Sequence, residues 1–132
     1  MLAALTALVL AAPRLVWSSS TSVSGSKAVT LRAKGLEAGA FYSLVTRGVC
    51  EVKDSPRRRR WREHVHPLGN VPFGTEFRVS VGGLEFPAGV DEQRTLFRAP
   101  AAEPEVRLED RSSPTSGRTH CRLTFVGIET VE

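Results

Sequence analysis

Apolar and polar residues alternate in two clear segments of the chain, with the period of two that is typical of β-strands. Val29, Leu31 and Ala33 are separated by polar residues, and residues 77–81 (FRVSV) follow the same rule. Because successive side chains of a strand point to opposite faces, each segment predicts a strand with one buried and one solvated face. No window keeps apolar residues at helical spacing for ten residues or more, so we expect helix only as a turn within a loop.

Turn-forming residues divide the chain into short segments. They lie at residues 24–26, 37–39, 70–74, 82–83 and 114–117. Short alternating strands separated by such turns predict an all-β protein, either a sandwich or a barrel.

The length of 132 residues and a hydrophobic content of 41% predict one domain over residues 1–132 with a buried core. We expect at most residues 1–5 to be disordered. Two cysteines are too few for a disulfide-dense secreted scaffold. The chain has no apolar run long enough to span a bilayer, so we expect no membrane span.

The positive charge of the chain is concentrated in one short basic tract. Its members are Arg57, Arg58, Arg59, Arg60 and Arg62. Without these five arginines, 13 basic residues stand against 14 acidic ones, so the rest of the chain is close to neutral. Nucleic-acid binding usually needs basic residues spread over a face. We therefore interpret the tract as a solvated loop and expect no nucleic-acid partner.

The apolar N-terminal segment Leu2–Ala12 has two interpretations. It is apolar enough for the hydrophobic region of a signal peptide, with cleavage near Ser18 or Gly25, although no basic residue precedes it. Alternatively, Thr6–Ala11 forms a buried strand, Pro13 a turn, and residues 15–17 a second strand. The segment alone does not decide between them.

Cys50 and Cys121 are 71 positions apart, which is unsuitable for a compact zinc clip. They could form one disulfide that closes a long loop, or remain as two buried thiols.

Three histidines are the weak candidates for metal binding: His64, His66 and His120. The first two form an H-x-H pair, which on a strand places both imidazoles on one face. A metal site usually needs further ligands, so solvated histidines are favoured over a metal site. The sequence also lacks the G-x-S-x-G, P-loop and dinucleotide-binding motifs of common enzyme classes.

Five segments resemble motifs of the copper/zinc superoxide dismutase family and occur in the family's order. They are residues 34–39 (KGLEAG), Cys50, residues 64–71 (HVHPLGNV), residues 94–96 (RTL) and the pair 116–121 (SGRTHC) with 126–128 (VGI). The resemblance implies a Greek-key β-barrel or sandwich of the superoxide dismutase type with a shortened metal-binding loop. Residues 6–12, 15–18 and 28–35 would be its first three strands, and Cys50 and Cys121 its disulfide.

The resemblance also implies that both metals are absent. The positions of the copper-binding histidine pair hold Ser43 and Val45, and the late copper histidine aligns near Ala99. Pro67 replaces the zinc aspartate, and only His64 matches a zinc-ligand position. The 13 residues between Cys50 and His64 contain no histidine.

A hydroxyl, an isopropyl and a methyl group cannot replace imidazole ligands. We therefore expect no copper, no zinc and no dismutase activity. Arg118, which matches the arginine that guides superoxide in the family, would be vestigial. Gly127 and Ile128 match the family's dimer contact, but two extra residues precede them. Whether the protein forms a homodimer is therefore not decided by the sequence.

Among relatives, the chain is most similar to the inactive superoxide-dismutase-like proteins of poxviruses. This resemblance implies a pseudoenzyme that acts through protein binding, as a virion component or as a decoy for the host copper chaperone, with superoxide dismutase as another possible partner. We expect it in the virion or the host-cell cytoplasm, or secreted if residues 1–18 are a signal peptide. The alternatives are a residual dismutase that uses the three histidines and a surface-binding module that uses the basic tract.

Overall fold

The computed structural model describes residues 12–25, 27–53, 61–64, 75–112 and 119–131. Within these ranges the chain forms nine β-strands and no helix. The strands are β1 Leu15–Ser19, β2 Ala28–Arg32, β3 Phe41–Lys53, β4 Trp61–His64, β5 Phe77–Val81, β6 Leu84–Ala88, β7 Gln93–Arg98, β8 Glu105–Asp110 and β9 Thr119–Thr130. The prediction of an all-β protein is confirmed.

The two alternating segments form strands with the expected faces. In β2, Val29 and Leu31 are partly buried between exposed neighbours, and Ala33 follows as a fully buried residue. In β5, every second residue from Phe77 is buried. The strand predicted at residues 15–17 is present as β1. The strand predicted at Thr6–Ala11 and the disorder predicted at residues 1–5 lie outside the described residues.

The strands form two antiparallel sheets. The five-stranded sheet has the order β1-β9-β3-β4, with β7 also paired to β3. Strand β3 is long enough for two partners on one edge, since residues 41–46 pair with β7 and residues 50–53 pair with β4. The four-stranded sheet has the order β2-β8-β5-β6.

The pairing is nested, because β1 pairs with β9 and β2 pairs with β8. Apart from β4, the strands follow the connectivity of a jelly roll, in which two four-stranded sheets face each other. Strands β1 and β2 therefore belong to different sheets. A closed barrel of the superoxide dismutase type stays a prediction.

The core lies between the inner faces of the two sheets. From the five-stranded sheet it includes Leu44, Leu123 and Ile128, which are almost fully buried. From the four-stranded sheet it includes Phe77 and Leu108, both completely buried. Complete burial of such side chains stabilises the fold by about 1.5–3 kcal/mol each.

The predicted turns at residues 37–39 and 82–83 are present and fix the strands that follow them. The backbone N–H of Glu37 donates to the Tyr42 hydroxyl at 2.8 Å, and the N–H of Gly39 donates to the Ala99 carbonyl at 2.8 Å. Gly82 and Gly83 have φ values of 55° and 90°, which suit the tight hairpin between β5 and β6. The turns predicted at residues 70–74 and 114–117 lie outside the described residues.

Candidate functional site

The two cysteines form a disulfide inside the core. Cys50 in β3 and Cys121 in β9 are directly opposite each other in the strand register, and their sulfur atoms are bonded. Cys50 is completely buried and Cys121 is 7% exposed. The interpretation of the cysteines as free thiols is therefore wrong. The bond joins the two strands that share the longest pairing in the structure.

The described histidines lie in two successive rows of the five-stranded sheet. His64 in β4 is opposite Cys50, whereas His120 in β9 is opposite Glu51. Successive residues of a strand belong to opposite faces, so the register does not bring these two positions together. His66 and Arg118 lie outside the described residues.

Among the described residues, no group of three or more histidine, cysteine, aspartate or glutamate side chains could hold a metal ion. The positions that the resemblance assigns to the copper ligands also lie on different faces of the sheet. Ser43 and Val45 alternate with the core residues of β3 and lie on the outer face of the sheet, while Ala99 is part of the core. The structure therefore does not place these three positions around one point.

The outer face of the five-stranded sheet exposes large apolar side chains. Leu96 is 62% exposed, Phe41 is 54% exposed and Leu15 is 49% exposed. Leu15 and Leu96 lie at the two ends of one register row, with Glu129 and Ser43 between them. Phe41 lies on the same face, two residues before Ser43, and is a diagonal neighbour of Leu96.

Phe125 extends this surface over the middle of the sheet. A Cβ atom on Gly127 would lie 2.9 Å from the Phe125 ring and 3.1 Å from Leu15, so the two side chains close over the glycine. Val45, opposite Gly127, is only 2% exposed although it lies on the outer face. We call the surface formed by Leu15, Phe41, Leu96 and Phe125 the apolar face.

The predicted dimer contact at Gly127 and Ile128 lies in this region of β9. Gly127 is covered by Phe125 and Leu15, and Ile128 is completely buried in the core. A contact made there would involve the side chains that cover Gly127. The homodimer stays a prediction.

Paired charges border the apolar face. Arg94 donates to Glu92 at 2.9 Å and to Glu129 at 3.4 Å, and Arg47 donates to the same Glu92 at 3.3 Å. The Arg47 guanidinium also lies 4.1 Å from the centroid of the Phe125 ring. The hydrogen bond to Glu92, followed by the charge of Glu129, raises the pKa of Arg94.

These two arginines and two glutamates together carry no net charge. Arg98, which is opposite Phe41 in β7, is a further cation beside the apolar face and donates to the Gly39 carbonyl at 3.0 Å.

The apolar face was not predicted from the sequence, although one signal for it was present. Phe41-Tyr42 and Leu96-Phe97 are adjacent apolar pairs, so each pair must place one member on either side of its strand. In the structure Tyr42 and Phe97 enter the core, and Phe41 and Leu96 remain outside. Apolar residues on both sides of a strand are typical of a sheet that is covered on both faces.

Most of the basic tract lies outside the described residues. Arg62 belongs to β4, where it is opposite Val52 of β3. Of the described residues, none belongs to a helix long and apolar enough to cross a membrane.

Comparisons with known proteins do not place the chain in a family. No protein-family model matches it, and no curated protein matches it. Among solved structures, the chain is similar to the crystal structure of dimeric latent PorU from Porphyromonas gingivalis, with a TM-score of 0.42 and 14% sequence identity. The similarity covers 89% of this chain and 12% of the PorU chain. A likeness at this level carries no argument about function.

Proposed function

We propose that this protein is a non-catalytic binding module that contacts another protein through the apolar face. The main observation that supports this proposal is that Phe41 and Leu96 are diagonal neighbours on one sheet and that each has more than half of its surface in solvent. Contiguous apolar patches on soluble proteins often mark interaction sites.

The composition of the apolar face supports a protein as the partner. Interface centres are more apolar than the rest of the surface and rich in aromatic side chains, and their rims are polar. Here Phe41 and Leu96 supply the apolar surface, and the Arg94 ion pairs lie beside it. Because Arg94 and Arg47 already have carboxylate partners, a protein that covers the apolar side chains need not supply a carboxylate to either of them.

A narrower form of the proposal rests on the sequence resemblance. The chain would be an inactive superoxide-dismutase-like protein without copper or zinc, present in the virion or the host-cell cytoplasm, and its partner would be the host copper chaperone. The disulfide between Cys50 and Cys121 is in keeping with it, because a chaperone that recognises the fold and this cysteine pair could still bind.

Substitution of Phe41 and Leu96 by serine is expected to weaken partner binding by about tenfold or more. The purified protein would be titrated with a purified copper chaperone for superoxide dismutase by isothermal calorimetry. Leu84→Ser is the matched control, because Leu84 is 44% exposed but belongs to β6 of the other sheet. This control should bind as the unmodified protein does.

Absence of chaperone binding to the unmodified protein would reject the hypothesis that the protein is a decoy for the copper chaperone. The apolar face is then tested by a photo-reactive phenylalanine analogue placed at residue 96 or at residue 84 and exposed to cell lysate. The proposal expects a discrete crosslinked protein from position 96 and none from position 84. Equal crosslinking at both positions, or none at 96, would contradict the proposal.

A further inference from the structure

The outer face of the four-stranded sheet contains a solvent-open cleft of about 150 Å³. It lies on the opposite side of the molecule from the apolar face. The lining side chains are alternately cationic and anionic, with one hydroxyl among them. They are Arg78, Ser80, Glu85, Arg107, Glu109 and Arg111.

The strand register brings these residues together. Ser80 in β5 is flanked by Arg107 of β8 on one side and Glu85 of β6 on the other. In the neighbouring row, Arg78 is opposite Glu109. All five alternate with residues that enter the core, so all belong to the outer face of the sheet.

Arg111 crosses over this surface from the end of β8. It donates to Glu85 at 2.7 Å and to Glu109 at 3.3 Å, and so bridges the two strands that flank β5. Arg78 donates to Glu76 at 3.1 Å, and its Nε lies 3.8 Å from the same Glu85. These contacts fix two guanidiniums and two carboxylates around the cleft before any ligand arrives.

Arg107 is the guanidinium with the loosest carboxylate contact. Its Nε lies 3.8 Å from Glu109, which is too long for a hydrogen bond, and its side chain is 49% exposed. A guanidinium has five N–H donors. Arg107 therefore brings donors to the cleft next to Ser80, which is opposite it in the strand register.

The charge balance indicates what the cleft can bind. Its three arginines are matched by Glu85 and Glu109 in the lining and by Glu76 beside it, so the network has no net charge and gives little preference for an anion. A hydroxyl group both donates and accepts a hydrogen bond. Two hydroxyls on adjacent carbons can therefore accept from an arginine and donate to a glutamate without displacing either.

The cleft is open to solvent, so its walls set no upper limit on the length of a ligand. Its volume of about 150 Å³ is comparable to that of cavities that hold one six-membered ring. None of the six lining residues is aromatic, so stacking would not contribute to binding.

We propose that this cleft binds a single sugar residue through vicinal hydroxyl groups. Arg107 and Ser80 donate to the ligand, and Glu85 and Glu109 accept from it. The proposal does not depend on protein binding through the apolar face. Binding by hydrogen bonds in an open cleft predicts a Kd of about 1–10 mM.

Nuclear magnetic resonance titration tests the site on the whole chain. Methyl β-D-glucopyranoside, methyl α-D-mannopyranoside and methyl β-D-galactopyranoside are each added to about 50 mM, with sodium sulfate as a separate oxyanion probe. We expect at least one glycoside to shift the backbone amide signals of Ser80 and Arg107 with a saturable dependence. Ser80→Val and Arg107→Gln should each raise the Kd by about fivefold or more.

Arg32→Gln is the matched control, because Arg32 is an arginine of the same sheet that does not line the cleft. It should leave the Kd unchanged, and amide spectra of all three variants report whether they remain folded. The proposal is overturned if no glycoside shifts the cleft signals. It is equally overturned if sulfate shifts them at lower concentration than any glycoside, or if Ser80→Val and Arg107→Gln bind as the unmodified protein does.

Discussion

Reduction of the disulfide between Cys50 and Cys121 is expected to lower the free energy of unfolding by about 4 kcal/mol. The bond closes a loop with a sequence separation of 71 residues, and in the chain-entropy model a loop of this length restricts the unfolded chain by about that amount. For a chain of this size the loss corresponds to a decrease in Tm of roughly 12–16 °C.

The measurement is thermal unfolding followed by circular dichroism, with and without a reductant. Cys50→Ala combined with Cys121→Ala is the control, because its Tm should be lowered already and should not respond to the reductant. The chain has only these two cysteines, so thiol titration of the unfolded protein should count none before reduction and two after it. An unchanged Tm in protein shown to be fully reduced would contradict the prediction.

Phe77→Ala is expected to destabilise the protein by about 3–5 kcal/mol, whereas Phe41→Ala should change the free energy of unfolding by about 0.5 kcal/mol or less. Phe77 is completely buried between the sheets, and Phe41 is 54% exposed on the outer face. Truncation of the first leaves a cavity in the core. Truncation of the second removes a side chain that remains largely in water.

The pair is matched in chemistry, since both residues are phenylalanines of strands, but Phe77 faces the core from β5 and Phe41 faces solvent from β3. Denaturant unfolding of both variants measures the two differences under the same conditions. Similar losses from both substitutions would show that the assignment of inner and outer faces is wrong.

The strands with a clear period of two could be predicted from the sequence. Val79 and Val81 alternate with polar residues, and the structure buries them as the pattern requires. The glycine pair at residues 82–83 likewise marked the hairpin between β5 and β6. In these segments the burial of a single face determines both the type of element and its orientation.

The partner of each strand could not be predicted in the same way. Nothing local in β1 specifies that it pairs with β9, more than 100 positions further along the chain. The disulfide shows the same limit, since residue spacing alone left both paired and free cysteines open, and only the family resemblance implied the bond. In the structure the register places Cys50 opposite Cys121.

The candidate sites depend on such long-range pairing. Leu96 becomes a neighbour of Phe41 only because β7 pairs with β3, and Arg107 reaches Ser80 only because β8 pairs with β5. Sequence motifs instead drew attention to His64 and His66, of which only His64 lies within the described residues. Local patterns therefore predicted β2 and β5, whereas the surfaces proposed for binding follow from the sheet order.

Metal analysis tests most directly the claim that the protein acts by contact rather than by metal chemistry. The protein, expressed with copper and zinc supplied, would be purified without chelators, and both metals would be quantified beside a superoxide dismutation assay. We expect less than stoichiometric copper and zinc, and activity no higher than that of a matched amount of free copper. One copper per chain with activity above that control would contradict it.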